Sequence, residues 1–279
     1  MEPLARRNVL KLRGDRVEWI EDVVAAEMPL TVMVGGEELA TILCSPIDLE
    51  DLVLGFLASE GLVRTMKDVR SISIDEARGV SYVELAHPPA LDFRALHRRT
   101  YGSCCGRGRA QFYFQSDLKT AKYAVSEVVL TADDVQAIMR VFRQRSMLFK
   151  QTGGVHNAAL VTKEGILLMR SDIGRHNALD KLYGAWLKQP FALSDKAIAF
   201  SGRLSSEVVL KVAKIGVGLI ISKSAPTALG LSLAEALNIT VVGFARGEEM
   251  NVYTHPERIF LPERPSAGRS SQLEIERQR

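Results

Sequence analysis

"AIAFSGRLSSEVVLKVAKIGVGLIISKSAPTALGLSLAEALNITVVGF", residues 197–244, decides the fold. Short runs rich in β-branched and apolar residues, at 197–200, 218–222 and 239–244, are separated by stretches at 205–215 and 227–237 whose apolar residues recur at helical spacing. Strands alternating with helices of about ten residues predict a parallel βαβαβ sheet with right-handed crossovers, and so an α/β fold. In such a sheet ligands gather beyond the carboxyl ends of the strands, where helix N-termini offer unpaired backbone N–H groups to anions. Those ends read Ser201-Gly202-Arg203, Ser222-Lys223-Ser224 and Phe244-Ala245-Arg246-Gly247. Each delivers a cation beside small residues that let a ligand approach the backbone, which predicts a phosphate or nucleotide site. The competing reading is that Arg203, Lys223 and Arg246 are ordinary solvated loop residues, and no Walker loop or G-x-G-x-x-G fingerprint sharpens the choice.

Upstream, "RSDIGRHNALDK" at 170–181 gathers Arg170, Asp172, Arg175, His176, Asn177 and Asp180 at the start of a predicted helix, 175–188. Locally this reads either as a cap at Asp172 with a salt-bridged surface, or as a cluster that orients a purine and its phosphates. His156, in "TGGVHNAAL", fits a hydrogen-bonded structural role or a ligand contact. "AALVTKEGILLMRS", 158–171, predicts a hairpin turning near Gly165. "LTADDVQAIMRVFRQRSMLFKQTGG", 130–154, predicts one helix, opened by a Thr131/Asp134 capping box and closed at Gly153-Gly154.

Toward the N-terminus, "PLTVMVGGEELATILCS", 29–45, predicts a hairpin around Gly35-Gly36, and "PIDLEDLVLGFLASEGLV", 46–63, a helix ending at Gly61. Strand-like runs follow at 71–75 and 80–85. From Ala86 to Arg109, Pro and Gly break every pattern, which predicts a long exposed loop. Residues 1–16 and 263–279 are charged or polar without periodicity and are expected to be flexible, framing an N-terminal α+β region, 17–126, and an α/β core, 127–262.

Composition narrows the function. The 279 residues are 47% hydrophobic and 25% charged, with a net charge of +3, too small to mark a general nucleic-acid binder. No N-terminal h-region and no apolar run of membrane-spanning length occur, so a cytoplasmic protein is expected. Three cysteines make no disulfide framework, which fits a reducing compartment. Two of them, Cys104 and Cys105, are adjacent within the segment 98–110, with Arg98, Arg99, Arg107 and Arg109 nearby and Gly102, Gly106 and Gly108 to let the loop move. Positive charge and solvent access favour a thiolate, the form a nucleophilic cysteine needs. Zinc binding fits less well, because adjacent cysteines lack the spacing of zinc ligands. Cys44, inside a hydrophobic strand, reads as a small core residue.

Together, "FKQTGGVHNAAL", "RSDIGRHNALDK", "SGRLSSEVVLK", "SAPTALGLSLAEALNITVVGFARG" and "SPIDLEDLVLGFLASEGLV" closely resemble the FdhD family over about residues 25 to 260. The resemblance implies a cytidine-deaminase-like core, a smaller N-terminal region carrying a mobile cysteine loop, and a cytoplasmic homodimer. It implies a sulfurtransferase that accepts persulfide sulfur from a cysteine desulfurase and passes it to the molybdenum or tungsten bis-molybdopterin guanine dinucleotide cofactor, as formate dehydrogenase requires. The family's Cys-x-x-Cys-Gly places its carrier thiol at Cys104 and puts Arg107 where the second cysteine belongs, leaving Cys105 as the auxiliary thiol. Its guanine dinucleotide segment falls on Phe244, Ala245, Arg246, Gly247, Glu248 and Glu249, the acidic pair facing either the guanine edge or solvent. Arg203, Lys223, Arg175 and His176 complete the cofactor-binding set, with no metal ligand, membrane or nucleic-acid partner. The alternative is a non-enzymatic chaperone for the cofactor or the apo-dehydrogenase. A zinc deaminase would need His-x-Glu before Pro-Cys-x-x-Cys, whereas His156 is followed by Asn157 and Ala158.

Overall fold

Strands β11 (Ala197–Phe200), β12 (Leu219–Ser222) and β13 (Thr240–Arg246) pair in parallel at the centre of a six-stranded sheet, joined by helices α5 (Ser206–Ile215) and α6 (Ala228–Ala236). This arrangement comes from a computed structural model that describes residues 2–87, 100–101 and 121–260. The sheet is mixed. The hairpin of β9 (His156–Thr162) and β10 (Gly165–Asp172) adds to one side with β9 antiparallel to β11, and β14 (Glu249–Thr254) adds antiparallel to β13 on the other. Strand periodicity sorts the apolar residues into two layers. Ala158, Leu160, Ile198, Phe200, Ile220 and Val241 face one core with α4 (Arg175–Lys188) and α5. Ala159, Val161, Ala199, Ile221 and Val242 face another, covered by Val135, Ile138 and Phe142 of α2 (Ala132–Arg145).

Thr131 and Asp134 form the predicted capping box of α2. The single helix expected to run to Gly153 is instead broken at Ser146, whose hydroxyl donates to the Phe142 carbonyl at 2.7 Å. A short helix, α3 (Met147–Thr152), follows and ends at Gly153 in the left-handed region. Below α2, the two-residue strands β8 (Leu130–Thr131) and β15 (Ile259–Phe260) pair in parallel.

The N-terminal region builds a five-stranded sheet in the order β5-β6-β3-β4-β7, from β3 (Met28–Val34), β4 (Glu37–Cys44), β5 (Val69–Asp75), β6 (Val80–Leu85) and β7 (Thr100–Tyr101). Met28, Leu30, Val32 and Val34 alternate along β3 onto α1 (Leu49–Ser59). The latter is buried almost all round because it lies between this sheet and α4. Two segments carry strands that the sequence reading did not assign. Residues 1–16, read as flexible, supply β1 (Leu4–Arg13), which pairs along its length with β2 (Arg16–Ala25) in a separate hairpin. The charged residues that suggested disorder line its exposed faces, and Arg6 donates to Glu21 across it at 2.6 Å. Within the stretch read as a loop, Thr100 and Tyr101 pair with β4. The expected tail, 263–279, lies outside the described residues.

Candidate functional site

The carboxyl ends of the central strands open into a cavity of about 390 Å³. Its floor is made by Asn157 from β9, Ser201 after β11, Lys223 after β12, and Ala245, Arg246, Gly247 and Glu248 at the β13–β14 turn. The opposite wall is α2 and the break that follows it: Gln136, Met139, Arg140, Phe142 and Arg143, then Ser146 and Phe149. Among the described lining residues, four cations, Arg140, Arg143, Lys223 and Arg246, therefore meet a single carboxylate, Glu248, around an apolar strip of Met139, Phe142, Phe149 and Ala245. Such a mixture suits an organic anion with a flat apolar part.

Local bonding holds the floor in shape. The Ser222 hydroxyl donates to the Gly202 carbonyl at 2.7 Å and accepts from the Ser224 amide at 3.1 Å, while the Ser224 hydroxyl donates to the Ser201 carbonyl at 3.1 Å. Arg246 Nε donates to the Lys223 carbonyl at 2.7 Å, tying the ends of β12 and β13 together. The Lys223 ammonium lies over the Phe149 ring, 4.4 Å from its centre. Partial burial, reinforced by the Arg246 charge, holds the Lys223 pKa below its ordinary value. Phe244, at φ 51, occupies the left-handed region beside the bulge in the β13–β14 pairing, and its amide donates to the Ser224 carbonyl at 3.2 Å.

His156 sits beside this floor. Its Nδ1 is 3.3 Å from the Ser201 hydroxyl, which also accepts from the Asn157 amide at 2.9 Å. Burial, then the charges of Arg175 and Lys223, lower its pKa and favour the neutral ring. His176 is 3.1 Å from Glu207 of α5, and burial likewise lowers its pKa against the pull of that carboxylate.

The sequence-predicted residues thus divide. Lys223, Ala245, Arg246, Gly247 and Glu248 line the cavity together; Phe244, Glu249, Arg203, Arg175 and His176 are not among its lining residues. Arg175 lies close to Gly202, and Arg203 is exposed on the turn after β11. Most of "RSDIGRHNALDK" is structural, and buried rather than on the surface. Asp172 and Lys181 pair at 2.7 Å with both side chains fully buried. The Asp172 carboxylate also accepts from the amides of Ser45 and Gly174 and from Asn177. Arg170 and Lys188 grip the buried Asp51 of α1 at 2.7 and 2.6 Å, and Asp180 accepts from Ser59 and Lys211. Sequence reading missed the helical wall, Gln136, Arg140 and Arg143. Their spacing of four and three residues along α2 was the available signal.

Cys104 and Cys105 lie outside the described residues. Among the described residues no group of three or more His, Cys, Asp or Glu side chains is placed to hold a metal ion, and no helix is long and apolar enough to cross a membrane.

A sequence model of the FdhD/NarQ family matches residues 25–260. The chain is 53% identical over 255 residues to the sulfur carrier protein FdhD of Bacillus subtilis (strain 168), covering 91% of this chain and 97% of that one. It is 54% identical over 258 residues to the sulfur carrier protein FdhD of Geobacillus kaustophilus, covering 92% and 97%. A crystal structure from Desulfotalea psychrophila, assigned as a formate dehydrogenase accessory protein, superposes with a TM-score of 0.75 at 25% identity, covering 93% of this chain and all of that one.

Proposed function

The chain belongs to the FdhD/NarQ family, and we propose that it is a cytoplasmic, homodimeric sulfur carrier serving formate dehydrogenase. In this reading Cys104 attacks the outer sulfur of a cysteine desulfurase persulfide. The desulfurase S–S bond breaks, its thiolate leaves, and a new S–S bond forms on Cys104. The Cys104 S–S bond then breaks, Cys104 leaves as its thiolate, and the sulfur passes as sulfide to the molybdenum or tungsten bis-molybdopterin guanine dinucleotide, a substrate held at the strand ends of a cytidine-deaminase-like core, whose reduced metal supplies the two electrons. Cys105 is the auxiliary thiol, since Arg107 stands at the second cysteine position of the family pattern.

The observation that carries this reading is the cavity in which Arg140, Arg143, Lys223 and Arg246 surround an apolar strip. Phosphates take the cations and a purine takes the strip, the two needs of a guanosine diphosphate end. The test is incubation with a desulfurase and cysteine, followed by peptide mass spectrometry and activation of a client dehydrogenase. Wild type and Cys105→Ala gain one sulfur atom on the peptide containing Cys104 and activate the client; Cys104→Ala does neither. Full activation by Cys104→Ala overturns sulfur carriage and leaves a cofactor or apo-dehydrogenase chaperone.

A further inference from the structure

We propose that the β1–β2 hairpin is a docking arm, and that its occupant is the same hairpin of a second copy of this chain. The inference goes beyond the sulfur-carrier reading and gives the homodimer named there a surface. Leu10 pairs with Trp19 and Leu12 with Val17 across the ladder, and residues two apart on a strand share a face. The four side chains therefore form one cluster toward the tip of the hairpin. All four are exposed, Leu12, Val17 and Trp19 by 60% or more, and no other aromatic side chain among the described residues is as exposed as Trp19. Single apolar side chains are ordinary on a surface, whereas a contiguous group that includes a tryptophan marks a contact.

The hairpin is held only at its base. The Ala26 amide donates to the Pro3 carbonyl at 2.9 Å, and β2 packs against α3. The cluster begins at Leu10, about 20 Å farther along β1 from Leu4. Val9 and Ile20, paired on the opposite face, are half-buried, so the more exposed apolar face is the one that carries Trp19. The two strands form a sheet of their own, and among the described residues nothing pairs with either outer edge. Two strands alone are marginal in water, and a packed second layer makes such a unit stable.

Charge selects the occupant. Between Leu4 and Ala25 the chain carries five Arg or Lys and four Asp or Glu, interleaved along both strands. A surface so nearly balanced is not matched to a strongly basic or strongly acidic partner, and it does not repel its own copy. A two-fold axis then sets the same patch against itself. With the hairpins face to face and antiparallel, Leu12 and Val17 of one copy meet Leu10 and Trp19 of the other. The turn flanked by Arg13 and Arg16 then meets the row that carries Asn8 and Glu21, so cations approach a carboxylate at both ends of the apolar cluster.

The test is sedimentation velocity of the full chain over a dilution series, using wild type, Trp19→Glu, Leu12→Glu and Val125→Glu. Val125 is at least as exposed as Trp19 but lies next to Ala124 of the core, and serves as the control. Thermal melts check that each variant is folded. Wild type should be dimeric; Trp19→Glu and Leu12→Glu should each raise the dissociation constant at least tenfold, and Val125→Glu should leave it level. Trp186→Phe makes Trp19 the sole tryptophan, and quenching of its fluorescence by acrylamide should be weak in the dimer and rise on dilution. A dimer in which Trp19 stays open to acrylamide, or which Val125→Glu weakens as much as Trp19→Glu, refutes the arm and leaves the homodimer to another surface. A monomer at every concentration refutes the arm and the homodimer together, and a monomer in which Trp19 is shielded shows that the chain covers its own hairpin. Sulfur carriage falls only if Cys104 gains no sulfur, so the two failures are distinguishable.

Discussion

Gly55 of α1 and Gly184 of α4 face each other across a helix crossing so close that a Cβ on Gly55 would overlap the Asp180 carbonyl, and one on Gly184 the Asp51 carbonyl. The N-terminal region and the core meet here backbone to backbone. Alanine is favoured over glycine inside a helix by about 1 kcal/mol, so helix propensity alone predicts that Gly55→Ala and Gly184→Ala stabilise. The crossing predicts the opposite sign: each should lose about 2 kcal/mol or more through overpacking. Urea denaturation of the two variants distinguishes these outcomes.

The same interface carries the buried Asp172–Lys181 pair. Lys181→Met leaves the Asp172 carboxylate buried without its cation and should cost about 3–5 kcal/mol. Lys181→Met combined with Asp172→Asn should cost less than the sum of the single changes, because no uncompensated charge remains. Chemical denaturation of the four forms of this cycle measures the coupling, and simple additivity would deny it.

Stability should fall as pH is lowered from about 7 toward 5. Burial lowers the pKa of both His156 and His176 in the folded state. Above the unfolded value of about 6.5 both states carry neutral rings and nothing is gained or lost. Below it the unfolded chain binds protons that the folded chain refuses, so the unfolded state is favoured. Urea midpoints measured across this range should flatten in His156→Gln and His176→Gln relative to wild type.

Arg246→Glu should weaken GDP binding by at least tenfold, since it reverses one of the four cations of the cavity. Added salt should weaken wild-type binding too, because Arg140, Arg143 and Arg246 are exposed and their attraction for phosphate is screened. Calorimetry at two ionic strengths reads both effects; an affinity indifferent to the substitution would place the phosphates elsewhere.

Cys44 should resist alkylation in the native protein. It is fully buried, and burial, reinforced by the nearby Asp172 carboxylate, pushes its pKa up to about 12. At pH 8 iodoacetamide should leave Cys44 unmodified until denaturant is added. Peptide mapping shows which thiols react, and native labelling of Cys44 would contradict its packing.

The elements of this chain were legible because their signals are local. Apolar spacing along residues 197–244 marked each strand and helix of the parallel unit, and Thr131 with Asp134 marked the start of α2. Lys223 and Arg246 were visible as cations at strand ends, but so was Arg203, which carries the same local signal and does not line the cavity. The spacing of Gln136, Arg140 and Arg143 put them on one face of α2, a pattern that the solvated face of any amphipathic helix shares. They became cavity residues when Val135, Ile138 and Phe142 docked α2 on the sheet and set its polar edge over the strand ends. Likewise, the ion pairs of Asp51 with Arg170 and Lys188 join residues more than a hundred positions apart. The sequence by itself determined most strands and helices of the parallel unit and the N-terminal α+β region, and which family pattern they carry, since turn chemistry and hydrophobic period act between near neighbours. Only the tertiary structure decided which charges are buried and which share a cavity, because those depend on how separate helices pack against one sheet.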